Sequence, residues 1–490
     1  MSAVNTLQMR TLLDAALSDA LARDAGTLSA STFYAHAHRE TASLHTLVVN
    51  GGPGTGKSAW ARALADSELR TAAAQDLRMP RLESIRVVTS TGAVQGADRP
   101  TSAQLDALTG EGIRPLTVWK AIALHALGVA DVVQLPDWHD RVWWVEHHPD
   151  TVHEAFTVLD RQARAEGVVY LVVVDALDRL HPDQRHADFY ASGVLHLAAD
   201  LARATPNVRV KTFIRPDMLT AALPALSPAV RRSLPTVRLD WSASTAQPGQ
   251  RGTPLYGLLI HLLGNHGGHD AAAFRALAPG WSRTADGRYT APAQLHTEPR
   301  AQQQLFSLLA DPYWGATPRQ GSTYALLPSY LADTADRLTP RPFLAALHQA
   351  VRHTAADHPD HDRALHHQDI QRGFAAGALA RVTEIEQAQP WVRAALTPLA
   401  GQQLPIGLDH ALAAWDQCNL PEQLRRLGAR AADPAPSGIR HLDRYADLLN
   451  ELATAGAVRT RDHRLDLAET FRIAYRLGRC GGVQRPAAQA

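Results

Sequence analysis

Apolar residues recur along this chain in two rhythms, one helical and one strand-like. Over residues 5–25 they return near helical spacing, at Leu7, Leu12, Leu13, Ala16, Leu17 and Leu21, which predicts a helix. Residues 44–50 (LHTLVVN) form a short β-branched run that stops at Gly51-Gly52-Pro53-Gly54, the pattern of a strand entering a turn. Residues 58–69 read as a helix, 85–89 as a second strand, and 113–127 and 151–166 as helices. Residues 168–174 (VVYLVVV) are almost continuously apolar, as befits a strand covered on both faces of a parallel sheet. Residues 208–214 and 236–239 are further strands. Strands alternating with helices predict a doubly wound α/β domain over residues 41–241, behind an N-terminal helical segment at 1–40.

The pattern then changes. Residues 242–252 (SASTAQPGQRG) are small, polar and turn-rich, and read as a linker. Residues 253–380 are mostly helical by pattern, with a loop near 278–300, so 242–380 is read as linker and helical lid. Residues 381–437 are read as a helical connector ending in a break at 428–440. In the remainder, 438–490, residues 441–455 form an amphipathic helix stopped by Gly456. Residues 457–460 and 464–467 flank Arg461-Asp462-His463 as a short hairpin, and 468–477 returns to helix. Helix, hairpin and helix together are similar to a winged-helix module.

Composition narrows the class. A chain of 490 residues exceeds one ordinary core, and 45% hydrophobic with 20% charged residues is normal for a soluble globular protein. No apolar run reaches the roughly 18 residues of a membrane span, and the first residues lack the order of a signal peptide. Two cysteines, Cys418 and Cys480, make no disulfide framework and lack metal spacing, so a cytoplasmic setting is expected. A net charge of +1 gives no global basic field for nucleic acid. Only three lysines occur, Lys57, Lys120 and Lys211, which makes each a rare choice in an arginine-rich chain. The 24 histidines are scattered, and adjacent pairs such as His366–His367 do not share a helix face, so they read as structural rather than metal-binding.

The chemistry begins at Gly51-Gly52-Pro53-Gly54-Thr55-Gly56-Lys57-Ser58, which fits G-x-x-x-x-G-K-[ST] without mismatch. The glycines let the backbone turn several N–H groups toward phosphate oxygens, and the following helix, from Ala59 on, presents its positive end to them. Lys57 supplies a mobile cation for the β- and γ-phosphates, and the Ser58 hydroxyl a ligand for Mg2+. A second element is the apolar strand ending in Asp175-Ala176-Leu177-Asp178. Asp175 is placed to hold the metal, directly or through water. Asp178 would polarise the attacking water, or else cap a helix. A third is Arg215, at the carboxyl end of the strand 208–214. That arginine would sense the γ-phosphate, or else pair with Asp217 on the surface. Lys211 within the same strand would reach the site or extend from the sheet. A fourth is Thr339-Pro340-Arg341-Pro342, in which Arg341, or Arg337 in its place, would fold over the nucleotide from the lid.

In this order the four elements resemble the additional-strand P-loop ATPases, and within them the STAND signal-transduction ATPases and the KAP ATPases, relatives of the AAA+ class. Asp175-Ala176-Leu177-Asp178-Arg179 looks like the STAND form of the Walker B motif; Arg215-Pro216 resembles a strand-ending sensor arginine, and Pro340-Arg341 a lid sensor. Where AAA+ proteins have a glutamate directly after the metal aspartate, this chain has Ala176, so the base falls to Asp178, with Glu166 or a neighbouring subunit as fallback. The resemblance implies an α/β P-loop NTPase fold, a parallel sheet with helices on both faces followed by a lid and a winged-helix-like module. It implies ATP and Mg2+ as cofactors and slow hydrolysis suited to a molecular switch. It also implies oligomerisation or a protein partner, and a role in bacterial signalling or phage defence. No N-K-x-D guanine-reading motif occurs, which favours ATP over GTP. The arginines of 438–483 leave open DNA binding by the terminal module, and a small-molecule phosphotransferase is a further alternative.

Overall fold

Side-chain alternation along five short strands splits the nucleotide-type domain into two cores. In the computed structural model, which describes residues 5–23, 25–89, 97–242, 252–429 and 444–479, the first helix is α1 (Thr6–Ala22). Most of the linker expected at 242–252, most of the break expected at 428–440, the first residues of the helix expected at 441–455, and Cys480 lie outside the described residues. The strands are β1 (Val48–Asn50), β2 (Ile85–Thr89), β3 (Val169–Val174), β4 (Val208–Ile214) and β5 (Thr236–Arg238). All pair in parallel, in the order β2-β3-β4-β1-β5. Thus β4 lies between the strand that precedes the glycine-rich loop and the strand that leads into Asp175.

Successive residues of a strand face opposite sides. Val48, Val172, Val174, Val210 and Ile214 accordingly enter one apolar core, and Val49, Leu171, Val173 and Phe213 the other. Helix α2 (Lys57–Ala65) covers the second face with Trp60 and Leu64, and α3 (Gln184–Ala204) covers the first with Ala187, Val194 and Leu197. Helices on both faces of a parallel sheet make this the P-loop NTPase fold class expected. Helix α2 is shorter than the 58–69 predicted. Asp66 leaves helical geometry, and its carboxylate accepts the N–H groups of Glu68 and Leu69, capping a separate helix Ser67–Leu77.

A third core belongs to the lid. It joins Met9, Leu13 and Leu17 of α1 to further helices, among them α4 (Thr253–Asn265), α5 (Pro340–Asp357) and α6 (His367–Ala388). Helices α5 and α6 pack closely enough that a β-carbon at Gly373 would run into the Ala346 carbonyl. By packing, therefore, α1 is part of the lid.

The fourth core runs from Val382 to Leu477. It includes α7 (Trp391–Leu396), β6 (Ile406–Gly407), α8 (Leu408–Gln417), α9 (Tyr445–Ala455), β7 (Val458–Arg461) and β8 (Arg464–Leu467). The hairpin of β7 and β8 is where the pattern placed it, but β6 pairs with β8 as a third antiparallel strand. Trp391 and Trp415, fully buried, fill this core from the stretch read as a connector. A two-residue strand is too short to leave a period in the sequence, so the extent of this unit toward Trp391 was not visible there. Among the described residues no helix is long and apolar enough to cross a membrane.

Candidate nucleotide-binding site

Where β1 ends, the Gly51 N–H bonds to the Ile214 carbonyl and the chain turns into the glycine-rich loop. Gly54 and Gly56 have φ of 77° and 99°, left-handed values that favour glycine and that let the loop close on itself. The Thr55 hydroxyl donates to the Gly52 carbonyl at 2.9 Å, and the Trp241 indole N–H, just past β5, donates to the Thr55 carbonyl at 2.9 Å. Gly56 leads directly into the first turn of α2, so the positive end of that helix faces the loop. Lys57 Nζ donates to the carbonyls of Gly51 at 2.7 Å and Gly52 at 3.0 Å. Burial lowers the Lys57 ammonium below its ordinary value, and the carboxylates of Asp178 and Asp175 act against that. The loop lysine and the two strand-end acids therefore share one electrostatic environment, as the motifs require. Ser58 is exposed in the first turn of α2.

The other predicted residues fall as follows. Ala176, with φ of 54°, begins the short 3-10 turn Leu177–Arg179, so Asp178 lies inside that turn and is not its cap. Arg215 is 3% exposed and makes the expected pair with Asp217, but inside the protein. It grips Asp217 at 2.7 Å and reaches Asp178 Oδ2 at 3.4 Å, at the carboxyl ends of adjacent strands. It is not a surface residue. Arg341 lines the same cavity as the loop and donates to the Arg23 carbonyl at 3.2 Å. Arg337 lies across Gly52, with its Nη1 3.6 Å from where a β-carbon there would be. Lys211 does not reach the site. Its Nζ donates to the Thr41 and Ser43 carbonyls at 2.8 and 2.7 Å, and burial pushes it down to about 7. Glu166 is excluded as a base because it lies before β3 begins, paired with Arg86 at 3.0 Å, whereas Asp175 follows the strand's other end. A six-residue strand, roughly 20 Å long, separates them.

Two features had no sequence signal. The first is a cavity of about 370 Å³ beside the loop, of the size that takes a small molecule. Gly52, Gly54–Ala59 and Arg341 line it from the loop and the lid. Leu21 of α1, Leu28, Phe33, Trp241, Leu258 and Leu344 supply apolar lining. Its walls come from segments between residues 20 and 384 that lie far apart in the chain, which no local pattern could bring together. The second is a buried ionic chain from the loop into the lid. Arg381 on α6 donates to the Pro53 carbonyl at 2.9 Å, to Glu384 at 3.1 Å and to Asp333 at 2.8 Å. Asp333 also accepts from Arg337 Nε at 2.8 Å, and the Thr339 hydroxyl donates to Glu384. Glu384 lies against Gly54, where a β-carbon would collide with its carboxylate. Burial raises the Glu384 carboxyl above the usual range, partly offset by Arg381. A carboxylate beside a phosphate cradle opposes anion binding. Glu384→Gln is therefore expected to tighten Mg-ATP binding several-fold, measured by calorimetric titration at neutral pH; weaker binding would contradict it.

This chain runs on to the terminal core. Gly456 packs against Arg337 and Asp333, the Thr334 N–H donates to the Gly456 carbonyl at 3.0 Å, and the Thr334 hydroxyl donates to the Val458 carbonyl at 3.0 Å.

No protein-family model and no curated protein matches this chain. Among solved structures, the Aeropyrum pernix ORC2 protein in ADPNP–ADP complexes is similar at 12% identity and a TM-score of 0.36, covering 88% of this chain and 85% of that one. A Walker-type ATPase of Pyrococcus abyssi is similar at 11% identity and a TM-score of 0.33, covering 90% and 94%. The fold assignment rests on the strand order and the loop geometry of the chain itself.

Proposed function

We propose that this protein is a magnesium-dependent ATP-binding switch that hydrolyses ATP slowly. The observation that carries the reading is that Lys57, on the left-handed loop of Gly54 and Gly56, feels the Asp178 and Asp175 carboxylates while the loop itself lines a nucleotide-sized cavity. The loop N–H groups and the start of α2 would hold the phosphates, and Lys57 would exchange two loop carbonyls for β- and γ-oxygens. Ser58 and Asp175 would hold Mg2+, which neutralises phosphate charge. The apolar lining of the cavity suits a purine base, and the missing guanine-reading motif favours adenine.

Asp178 is proposed to orient the attacking water, with Arg215 steadying its carboxylate and presenting positive charge toward the γ-phosphate. Arg341 would add a second cation from the lid. Asp178→Asn is expected to cut turnover by about 100-fold while Mg-ATP affinity stays within threefold. Phosphate release at saturating ATP checks this, and undiminished turnover would remove Asp178 from the chemistry.

A switch needs an element whose position depends on the nucleotide. The Pro53–Arg381–Asp333–Arg337–Gly456 chain supports such a coupling, because one end touches the phosphate loop and the other the winged-helix-like unit. By resemblance, the output would be a protein partner or self-association in bacterial signalling or phage defence. A second reading, ATP-regulated DNA binding, draws on the exposed Arg459, Arg461 and Arg464 of the β7–β8 hairpin. A mobility shift that weakens steeply with salt and depends on ATP would favour it.

A further inference from the structure

The turn between α5 and α6 gathers histidines that the sequence scatters. His358 follows the last residue of α5 and His366 precedes the first of α6, so neither is bound by helical spacing. Asp369, in the first turn of α6, is completely buried. His358 Nδ1 lies 2.7 Å from Asp369 Oδ2, and His366 Nδ1 lies 3.8 Å from the same oxygen. The rings of His358 and His366 face each other at 4.0 Å, and the three donor atoms lie within 4.8 Å of one another.

Hydrogen bonds account for the neighbouring histidines but not for His366. Asp311 accepts from His361 at 3.0 Å and from His367 at 2.9 Å. His366 Nδ1 is buried and has no hydrogen-bond partner, on a side chain 13% exposed. A buried nitrogen without a partner has lost its water for no return. The turn is also held in place from outside. Arg10 of α1 donates from Nη2 to the carbonyls of His358 at 3.0 Å, His361 at 3.2 Å and Arg363 at 3.0 Å.

We propose that His358, His366 and Asp369 bind a divalent transition-metal ion of the zinc class. Bonds of about 2.0–2.2 Å in a tetrahedron set donor atoms roughly 3.3–3.5 Å apart, and the observed 2.7 and 3.8 Å bracket that edge. The ion takes the place of the proton shared by His358 and Asp369 and gives His366 its partner. Two imidazoles and one carboxylate suit a borderline cation, with water in the fourth position. Arg372 Nη1, 3.3 Å from Asp369 Oδ1, holds the carboxylate's other oxygen and so fixes its direction. The ion joins the end of α5 to the start of α6, the helix that carries Arg381 and Glu384.

The test is a cobalt titration of the tag-free full chain, followed by absorbance, with displacement by zinc. One equivalent of cobalt should produce the strong visible bands of a low-coordinate site, and zinc should remove them. His366→Gln should weaken binding at least 100-fold, and His367→Gln should leave it within threefold. Circular dichroism verifies folding, and His358→Gln serves if His366→Gln fails to fold. A chain with no saturable one-equivalent binding, or binding that survives both variants or is lost in His367→Gln, overturns the assignment.

Discussion

Replacing Asp333 by alanine is expected to lower stability by about 3–5 kcal/mol, the cost of breaking a buried ion pair by removing one partner. Asp333 and Arg381 are both fully buried, and Asp333 accepts from Arg381 and Arg337 together. Burial alone would raise the Asp333 carboxyl, but the two guanidiniums bring it below the usual carboxylate range. Its folded-state value is therefore depressed, so its contribution is present above the unfolded value of about 3.9 and fades as pH falls through the lower folded value. The difference between wild type and Asp333→Ala should accordingly be full at pH 7 and shrink in acid below about pH 4. Since Arg381 also holds the Pro53 carbonyl, the variant should loosen the loop as well as the lid. Thermal unfolding at neutral and acid pH measures the first effect, and Mg-ATP affinity the second. A variant as stable as wild type at pH 7 would show that the ionic chain holds nothing together.

Lys57→Ala is expected to weaken nucleotide binding by two to four orders of magnitude. Two charge-assisted hydrogen bonds to phosphate oxygens are lost, at about 1.5–3 kcal/mol each, or roughly 3–6 kcal/mol in all. In the protein the ammonium is surrounded by the Gly51 and Gly52 carbonyls and faces the Asp178 and Asp175 charges. Its removal takes one positive charge away from beside those acids, leaving Arg215 at Asp178, and this loss of positive charge deepens the effect. Folding should be little affected, because the loop is also closed by Thr55 and Trp241. Calorimetry with Mg-ATP checks the affinity, and an unchanged dissociation constant would remove Lys57 from the phosphate site.

What could be read from the chain followed from local pattern. Residues 168–174 could only be a buried strand, and the glycine-rich loop carries its chemistry in eight consecutive residues. β4 was read at its observed limits, Val208–Ile214, because its ends coincide with a change in hydropathy. What could not be read depends on contacts distant in sequence. Glu384 and Arg381 look like ordinary charged residues of a long helix until the fold places them on Pro53 and Gly54, some 330 residues earlier. Leu21, Phe33 and Trp241 share a cavity wall, yet each would pass as core in its own segment. Lys211 is one of only three lysines, yet its position inside a central strand makes it a tie to the 41–43 segment. The His358–Asp369 cluster was hidden because an adjacent pair, His366–His367, diverges where the helix begins.

The most direct measurement is a structure determined with Mg2+ and a non-hydrolysable ATP analogue. The account predicts the triphosphate within the loop Gly51–Ser58, in hydrogen-bonding reach of Lys57 Nζ and Ser58 Oγ, with the base against Phe33 and Trp241. A map with that loop vacant at saturating analogue, or with the nucleotide held elsewhere, would contradict it.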